Sequence, residues 1–451
     1  MKSKIVNKIS QLLILNSALL TLFSSCSVQK KIVHSAKTDV LDAKALQTAH
    51  VGISIFDPAA NKYLYNYQGD KYFVPASNIK LPTCYAAMKY LGDSLVGLKI
   101  VKGGDRLFLV PTGDPTFLHP DFSYHPVYNF LNKTPEATMT MNNWRETGLG
   151  NGWSWNDYNE PYLAERSAFP IYGNCLTFSF INDTLIVNPS INSIWRRSPL
   201  NYHGGYNKFY IRRDKDHNIF REPFSENASF KRQSVPFIPN DSVVLNMLLD
   251  TLKNIRMTKF VNTMGINGIN NSIPEALTII HSQPTDSLLK PMMHRSDNFF
   301  AEQSLLMVSN EMLGVMNDEK IIDTLLKTDF KDLPQKPRWA DGSGLSRYNL
   351  FTPQDFVAIL NKMKNEFGIE RLKVILPTGG EGTISSYYKT DSGYIYGKTG
   401  TLSGVVAFSG FLYTKKGKLL IFSTLVNNHQ ATATEVRRAV EKFLQGIRNT
   451  Y

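Results

Sequence analysis

The chain is poor in cysteine, with Cys26, Cys84 and Cys175 the three in 451 residues. That excludes the small disulfide-stapled scaffolds of secreted proteins, and Cys84 and Cys175 read more simply as buried small thiols than as a bridge. No apolar run reaches the ~20 residues that a membrane-spanning helix needs. No basic run is longer than a pair such as Lys30-Lys31 or Lys415-Lys416. The 50 Lys and Arg against 38 Asp and Glu are therefore a dispersed charge of +12, not a stripe that tracks phosphates, and no nucleic-acid partner is expected. The nine histidines include no His-Glu-x-x-His pair, so the ligands of a zinc peptidase are missing, and neither a metal nor another cofactor is called for. A charged fraction of 20% beside 42% hydrophobic residues excludes a disordered chain.

What is present begins with an address. Lys2, Lys4 and Lys8 precede an apolar core from Leu12 to Phe23 with no acid between them, the pattern of a secretory signal. Ser24-Ser25-Cys26 follows, and small residues before a single cysteine resemble the bacterial lipobox. The resemblance implies cleavage after residue 25, acylation of Cys26, and export to the periplasm on a lipid anchor in the outer membrane. Two or more acyl chains hold firmly, at about 0.8 kcal/mol per buried methylene. The mature charge is then 47 minus 38, or +9. Residues 26–45 read as a tether, with room for a first helix.

The body reads as two terminal halves around an insertion. Val51, Ile53 and Ile55 alternate, a turn starts at Asp57-Pro58, and Tyr63, Tyr65 and Tyr67 alternate again, which makes an antiparallel hairpin. A helical stretch runs from Pro75 to Tyr90. At the other end, 404–413 and 419–425 read as strands, and a last helix shows Val436, Ala439, Val440, Phe443, Leu444 and Ile447 on one face behind a Thr432–Glu435 capping box. The fold class is α/β (α+β): an antiparallel sheet flanked by helices, assembled from 46–93 and 270–451. The insertion, 94–269, is rich in Gly, Asn, Pro, Tyr and Trp and reads as mainly β.

Three short motifs carry chemistry. In Ser77-Asn78-Ile79-Lys80 the hydroxyl and the amine stand at i and i+3, neighbours on a helix face, so the amine can serve the hydroxyl as a base. Ser296-Asp297-Asn298 lies at a helix connection. Lys398-Thr399-Gly400 opens an edge strand, where Gly400 permits close backbone approach. Each string is common by itself. Their order, spacing and contexts match the active-site triplet of penicillin-binding proteins and serine β-lactamases.

Further strings narrow the resemblance: Gly113-Asp114-Pro115-Thr116, Trp153 to Asp157, Ser296 to Glu302, Asp341 to Arg347, and Gly379 to Thr383. With them, 46–447 resembles the class C low-molecular-mass penicillin-binding proteins, a D-alanyl-D-alanine carboxypeptidase/endopeptidase family whose long gap between the first two motifs holds inserted domains. The resemblance implies peptidoglycan stem peptides as substrate, β-lactams as covalent inhibitors, and an acyl-serine intermediate. Ser77 would be the nucleophile, Lys80 its base, Ser296 a proton relay, and Asn298 a partner of Lys80 and of a substrate amide. Lys398 and Thr399 would grip the terminal carboxylate, and the backbone N–H groups of Ser77 and Thr401 would form the oxyanion hole. Burial and the nearby Lys398 cation would both lower the Lys80 pKa.

Other positions keep two readings. Arg347 either forms a salt bridge or binds the carboxylate of a diaminopimelate side chain. Trp155 and Asp157 either line a substrate wall or belong to a core. The run from Asp341 to Gly344 is foremost a turn. Pro82, two residues after Lys80, is expected to kink or tighten the helix and to favour a 3₁₀ first turn. Two rival functions remain: a serine β-lactamase, disfavoured because no Glu-x-x-Leu-Asn string follows Asn298, and a lipid-anchored protein that binds peptidoglycan or β-lactam without turnover. Rapid penicillin hydrolysis identifies the first; binding of a D-Ala-D-Ala pentapeptide without D-alanine release identifies the second.

Overall fold

The computed structural model describes residues 29–103, 106–181, 184–190, 198–200, 211–223, 232–252, 256–260 and 277–451, so the signal segment and Cys26 lie outside the described residues. Two compact units result. The first runs to Asn78 and resumes over Leu333–Pro337 and Leu350–Tyr451; the second is Ile79–Asp332 with Arg338–Asn349.

The first unit is built on one antiparallel sheet of β1 (His50–Asp57), β2 (Lys62–Tyr67), β3 (Ile395–Leu402), β4 (Val405–Tyr413) and β5 (Leu419–Asn427), in the order β3-β4-β5-β1-β2. Strands from the two ends of the chain meet as their alternation implies, with Ile53 of β1 opposite Thr424 of β5. The pleat sends Val51, Ile53 and Ile55 into a core shared with Val436, Val440, Phe443 and Leu444 of the Ala433–Thr450 helix. On the opposite face a Cβ at Gly52 would lie 2.5 Å from the Phe73 ring and 2.8 Å from Pro353, so glycine lets the Pro353–Phe367 helix approach. The capping box closes as read, with the Thr432 N–H donating to the Glu435 carboxylate at 2.9 Å. From residue 29 the chain is already part of this core: Ile32, Ala36 and Val40 are buried in it, and Asp39 pairs with Lys442 at 3.0 Å.

The second unit packs helices Lys80–Tyr90, Thr285–His294, Asn298–Leu313 and Asp318–Lys327 with three sheets. Strands Ser94–Gly103, Arg106–Pro111, Glu136–Met139, Arg256–Phe260 and Leu277–Pro284 form the largest. Its core gathers Leu98, Leu109, Leu176, Phe178, Phe237 and Met247. The described part of 94–269 is mainly strand and loop, with α-helix at Pro126–Leu131 and Asp241–Thr251. Helices Lys80–Tyr90 and Asn298–Leu313 are buried along most of their length, which explains why neither shows an amphipathic stripe in sequence. Among the described residues no helix is long and apolar enough to cross a membrane.

Pro82 is the third residue of the Lys80–Tyr90 helix, which follows a 3₁₀ turn at Ala76–Ile79. The 3₁₀ first turn is present, and the α-helix runs on through Pro82. In a first helical turn the missing N–H of proline has no intrahelical acceptor to lose.

Candidate active site

The first unit supplies one set of the predicted side chains. β3 is the edge of the sheet, and Lys398, Thr399 and Gly400 pair with Ser409, Phe408 and Ala407 of β4. Gly400 is required here, because a Cβ would stand 2.6 Å from the Pro75 carbonyl and 3.0 Å from the Ser77 nitrogen. The turn that carries Ser77 therefore lies directly against the Lys398-Thr399-Gly400 strand. It is fixed from below as well: buried Asn78 donates to the Ser409 hydroxyl at 2.7 Å, and Ser409 donates to Ser423 at 2.8 Å. Ala76, just before Ser77, holds a left-handed φ of 47°, a strained conformation for a non-glycine residue. Ser77 is half-buried. Lys398 is fully buried and its Nζ donates to the Thr399 carbonyl at 2.7 Å, while the Thr399 hydroxyl donates to Thr383 at 2.7 Å. Thr401, at the exposed end, accepts from Arg437 at 2.5 Å.

Lys80 and Asn298 belong to the second unit. Lys80 begins the helix that continues from the 3₁₀ turn, and its Nζ donates to Asn298 Oδ1 at 2.6 Å and to the Ser343 carbonyl at 2.8 Å. Because an ammonium only donates, Asn298 must turn its oxygen to it, and Asn298 Nδ2 donates to the Tyr162 carbonyl at 3.0 Å. Burial lowers the Lys80 pKa to about 8, against the opposing pull of Asp341, Asp297 and Glu302. The Asp297 side chain caps the Asn298–Leu313 helix by accepting from the Phe300 N–H at 2.9 Å. Ser296 is half-buried with a φ of 63°.

The loop from Asp341 is indeed a turn, and its carbonyl at Ser343 is also a partner of Lys80, a role that no side-chain pattern signals. Two buried carboxyls shape it. Asp341 accepts from the N–H groups of Gly344 and Ser346, from Asn349 and from Trp153, and Glu302 accepts from the Ser343 N–H at 2.7 Å. Burial, reinforced by Asp341, pushes the Glu302 pKa up. Behind it, buried Arg166 meets Glu302 at 3.4 Å, Glu146 at 3.3 Å and Asp318 at 2.5 Å. Glu302→Ala would strip the Ser343 N–H of its acceptor and Arg166 of a partner. A loss of about 3–5 kcal/mol in stability is expected from urea unfolding, with Glu302→Gln, which retains an acceptor oxygen, losing much less.

The remaining predicted residues are placed as follows. Trp155 is 61% exposed with Lys215 Nζ 5.1 Å from its ring centroid, so the reading of this tryptophan as core is overturned; Trp153, stacked on Arg166, is the partly buried one. Asp157 is half-buried and bonds the Tyr162 side chain, whose backbone carbonyl holds Asn298. Arg347 is exposed. Asp114 is buried and closes a local turn by accepting from the Thr116 N–H and hydroxyl. Thr383, Glu302 and Asp341 stood in motif strings without assigned roles, and Arg166 and Arg437 carried no sequence signal. Cys84 and Cys175 are free thiols. Among the described residues no group of three or more His, Cys, Asp or Glu could hold a metal.

The serine and the lysine of the first motif thus stand three residues apart where a 3₁₀ turn runs into a helix. The model of the D-Ala-D-Ala carboxypeptidase 3 (S13) family matches residues 34–193 and 240–447, and the chain belongs to that family. It is thus a serine peptidase of the D-Ala-D-Ala carboxypeptidase type, and the β-lactamase left as a rival is not favoured. A D-alanyl-D-alanine carboxypeptidase of an Actinomadura species is 24% identical in an alignment 445 positions long that covers 87% of this chain and 80% of that one. The fold is that of penicillin binding protein 4 (dacB) from Haemophilus influenzae, with a TM-score of 0.68, 20% identity, and coverage of 93% of this chain and 98% of that one. A second structure of that protein, complexed with a novel β-lactam, gives 0.65 and 19% over the same shares.

Proposed function

We propose that the chain is a serine D,D-peptidase of peptidoglycan that removes the terminal D-alanine of stem peptides, cuts D,D cross-links, or does both, and that β-lactams acylate it. The carrying observation is Lys80: fully buried, pKa lowered to about 8, fixed by Asn298 and Ser343, and three residues after Ser77 on a continuous helical run. Ser77 Oγ attacks the carbonyl of the penultimate D-alanine as Lys80 takes its proton. The oxyanion is met by the N–H groups of Ser77 and Thr401, where a donor of this kind contributes about 2.7–4 kcal/mol in the transition state. Ser296 returns a proton to the leaving amine, and water then hydrolyses the acyl-serine ester. Lys398, Thr399 and Gly400 form the strand along which the peptide lies, with Arg347, Asp157 and Trp155 as contacts for the rest of the stem. A similarly folded penicillin-binding protein forms a complex with a β-lactam, which supports β-lactam binding here.

The test is mass spectrometry of products from linear pentapeptide and cross-linked muropeptides. Release of D-alanine, or of monomers from dimers, supports the reading; binding of either without product contradicts it.

Residues 1–25 would export the protein and Cys26 would anchor it to the outer membrane facing the periplasm. Growth on labelled palmitate is expected to label the wild-type chain and to leave Cys26→Ala unlabelled. Label retained in Cys26→Ala removes Cys26 as the attachment point.

A further inference from the structure

A cavity of about 620 Å³ opens in the second unit, lined by residues of 141–148 and 165–169 and by the start of the Asp241–Thr251 helix. Its volume falls within the ~300–1,000 Å³ of small-ligand sites, and none of its lining comes from the three motifs. Part of the lining is apolar: Met141, Trp144, Phe169 and Val243. Half-buried Trp144 packs on Ala168, Leu306 and Met316, so the core fixes its place. The charges around the cavity are matched. Glu165 pairs through Oε1 with buried Arg213 at 3.3 Å. Arg166 spends its charge on Glu146, Glu302 and Asp318, and burial pushes the pKa of Glu146 and of Glu302 up, which trims the excess of acid. Asp241 stands in the first turn of its helix, where the N-terminal dipole favours an anion. Such a cavity selects a neutral ligand, because an ion would enter without an opposite charge to meet it.

Hydrogen-bonding capacity is left over all the same. Among the described residues the Trp144 Nε1–H has no acceptor and Glu165 Oε2 has no donor. Gly148 keeps that oxygen open, since a Cβ there would lie 2.6 Å from it. Ser167 Oγ accepts from Asn174 at 3.0 Å and still has its own O–H to give. Asn240 caps the helix by accepting from the Val243 N–H at 3.0 Å, which leaves its NH₂ group to donate. Donors and acceptors interleaved with an indole and apolar side chains suit an N-acetylated sugar: hydroxyls for the polar groups, a C–H face for the ring, and an acetamido methyl for the apolar lining.

We propose that this cavity binds a neutral N-acetylated sugar, the chemistry of a peptidoglycan glycan strand, and so holds the enzyme to the strand independently of the reacting stem peptide. The sugar site stands on the cavity itself; only the choice of peptidoglycan as its source rests on the peptidase reading above.

The experiment titrates tri-N-acetylchitotriose into the protein by calorimetry, with and without prior saturation by penicillin, after thermal unfolding has shown that each variant is folded. Wild type is expected to bind saturably with a Kd on the order of 1 mM, and penicillin to leave that value unchanged. Trp144→Phe keeps a ring on the core cluster but loses the indole donor, and is expected to weaken binding about three- to tenfold. Ser242→Arg, at an exposed position that lines the cavity, fills it with a long side chain and is expected to weaken binding about tenfold or more. Both variants should release D-alanine from a sugar-free pentapeptide at the wild-type rate. No saturable binding up to about 10 mM, equal affinity in the three proteins, or displacement of the sugar by penicillin overturns the proposal, while D-alanine release is read separately. Sugar binding by a wild type that releases no D-alanine overturns the peptidase reading and leaves the sugar site standing.

Discussion

Ser77→Ala is expected to abolish covalent labelling by a fluorescent penicillin and, with it, all D-alanine release. The change removes one oxygen from a half-buried position in a 3₁₀ turn. Alanine suits that turn, and the supports of the turn are elsewhere, in the Asn78–Ser409 hydrogen bond and the close approach of Gly400. Thermal unfolding should therefore be nearly unchanged while acylation vanishes. Labelling that survives the substitution would place the nucleophile elsewhere and end the account.

Lys80→Ala should lower the rate of acylation by about 10²- to 10⁴-fold, the range a positioned base contributes. Its effect on stability is larger than that of Ser77→Ala, because Asn298 Oδ1 and the buried Ser343 carbonyl lose their donor. Lys80→Arg tests charge against basicity: the guanidinium keeps a cation but stays protonated, so it should not restore acylation. The pH dependence has a fixed sign. Burial favours the neutral amine and brings its pKa to about 8, so below that value the ammonium dominates and cannot accept the Ser77 proton. Acylation by a penicillin should rise about tenfold per pH unit through the acid range and level off above pH 8. A profile that is flat from pH 6 to 9 would remove Lys80 as the base.

In the candidate site, the parts legible in the sequence are those in which chemistry dictates residue type at fixed spacing. Ser77 with Lys80, and Lys398 with Gly400, are local patterns, and the roles of Gly400 and Asn298 follow from what glycine permits and what an amide can accept. The sheet was legible because β1, β4 and β5 show alternation or continuous apolar runs, and the last helix because its stripe and capping box coincide. Partners defined by the backbone or by distance along the chain were not legible. The Ser343 carbonyl that holds Lys80 could belong to any residue, and Arg437 stands 36 residues from Thr401 on another element. Trp155 kept two readings in the sequence, substrate wall or core, and the fold removes the second by sorting Trp153 inward and Trp155 outward. The effect of Pro82 depended on its place within the helix, and a shift of one turn would have reversed it.

The most direct measurement is mass spectrometry of the intact protein after incubation with penicillin, followed by peptide mapping of the adduct. A single added acyl group, located on the fragment that contains Ser77 and persisting for minutes after free drug is removed, is the predicted result. An adduct on another residue, or none while the drug is bound or consumed, would contradict the account.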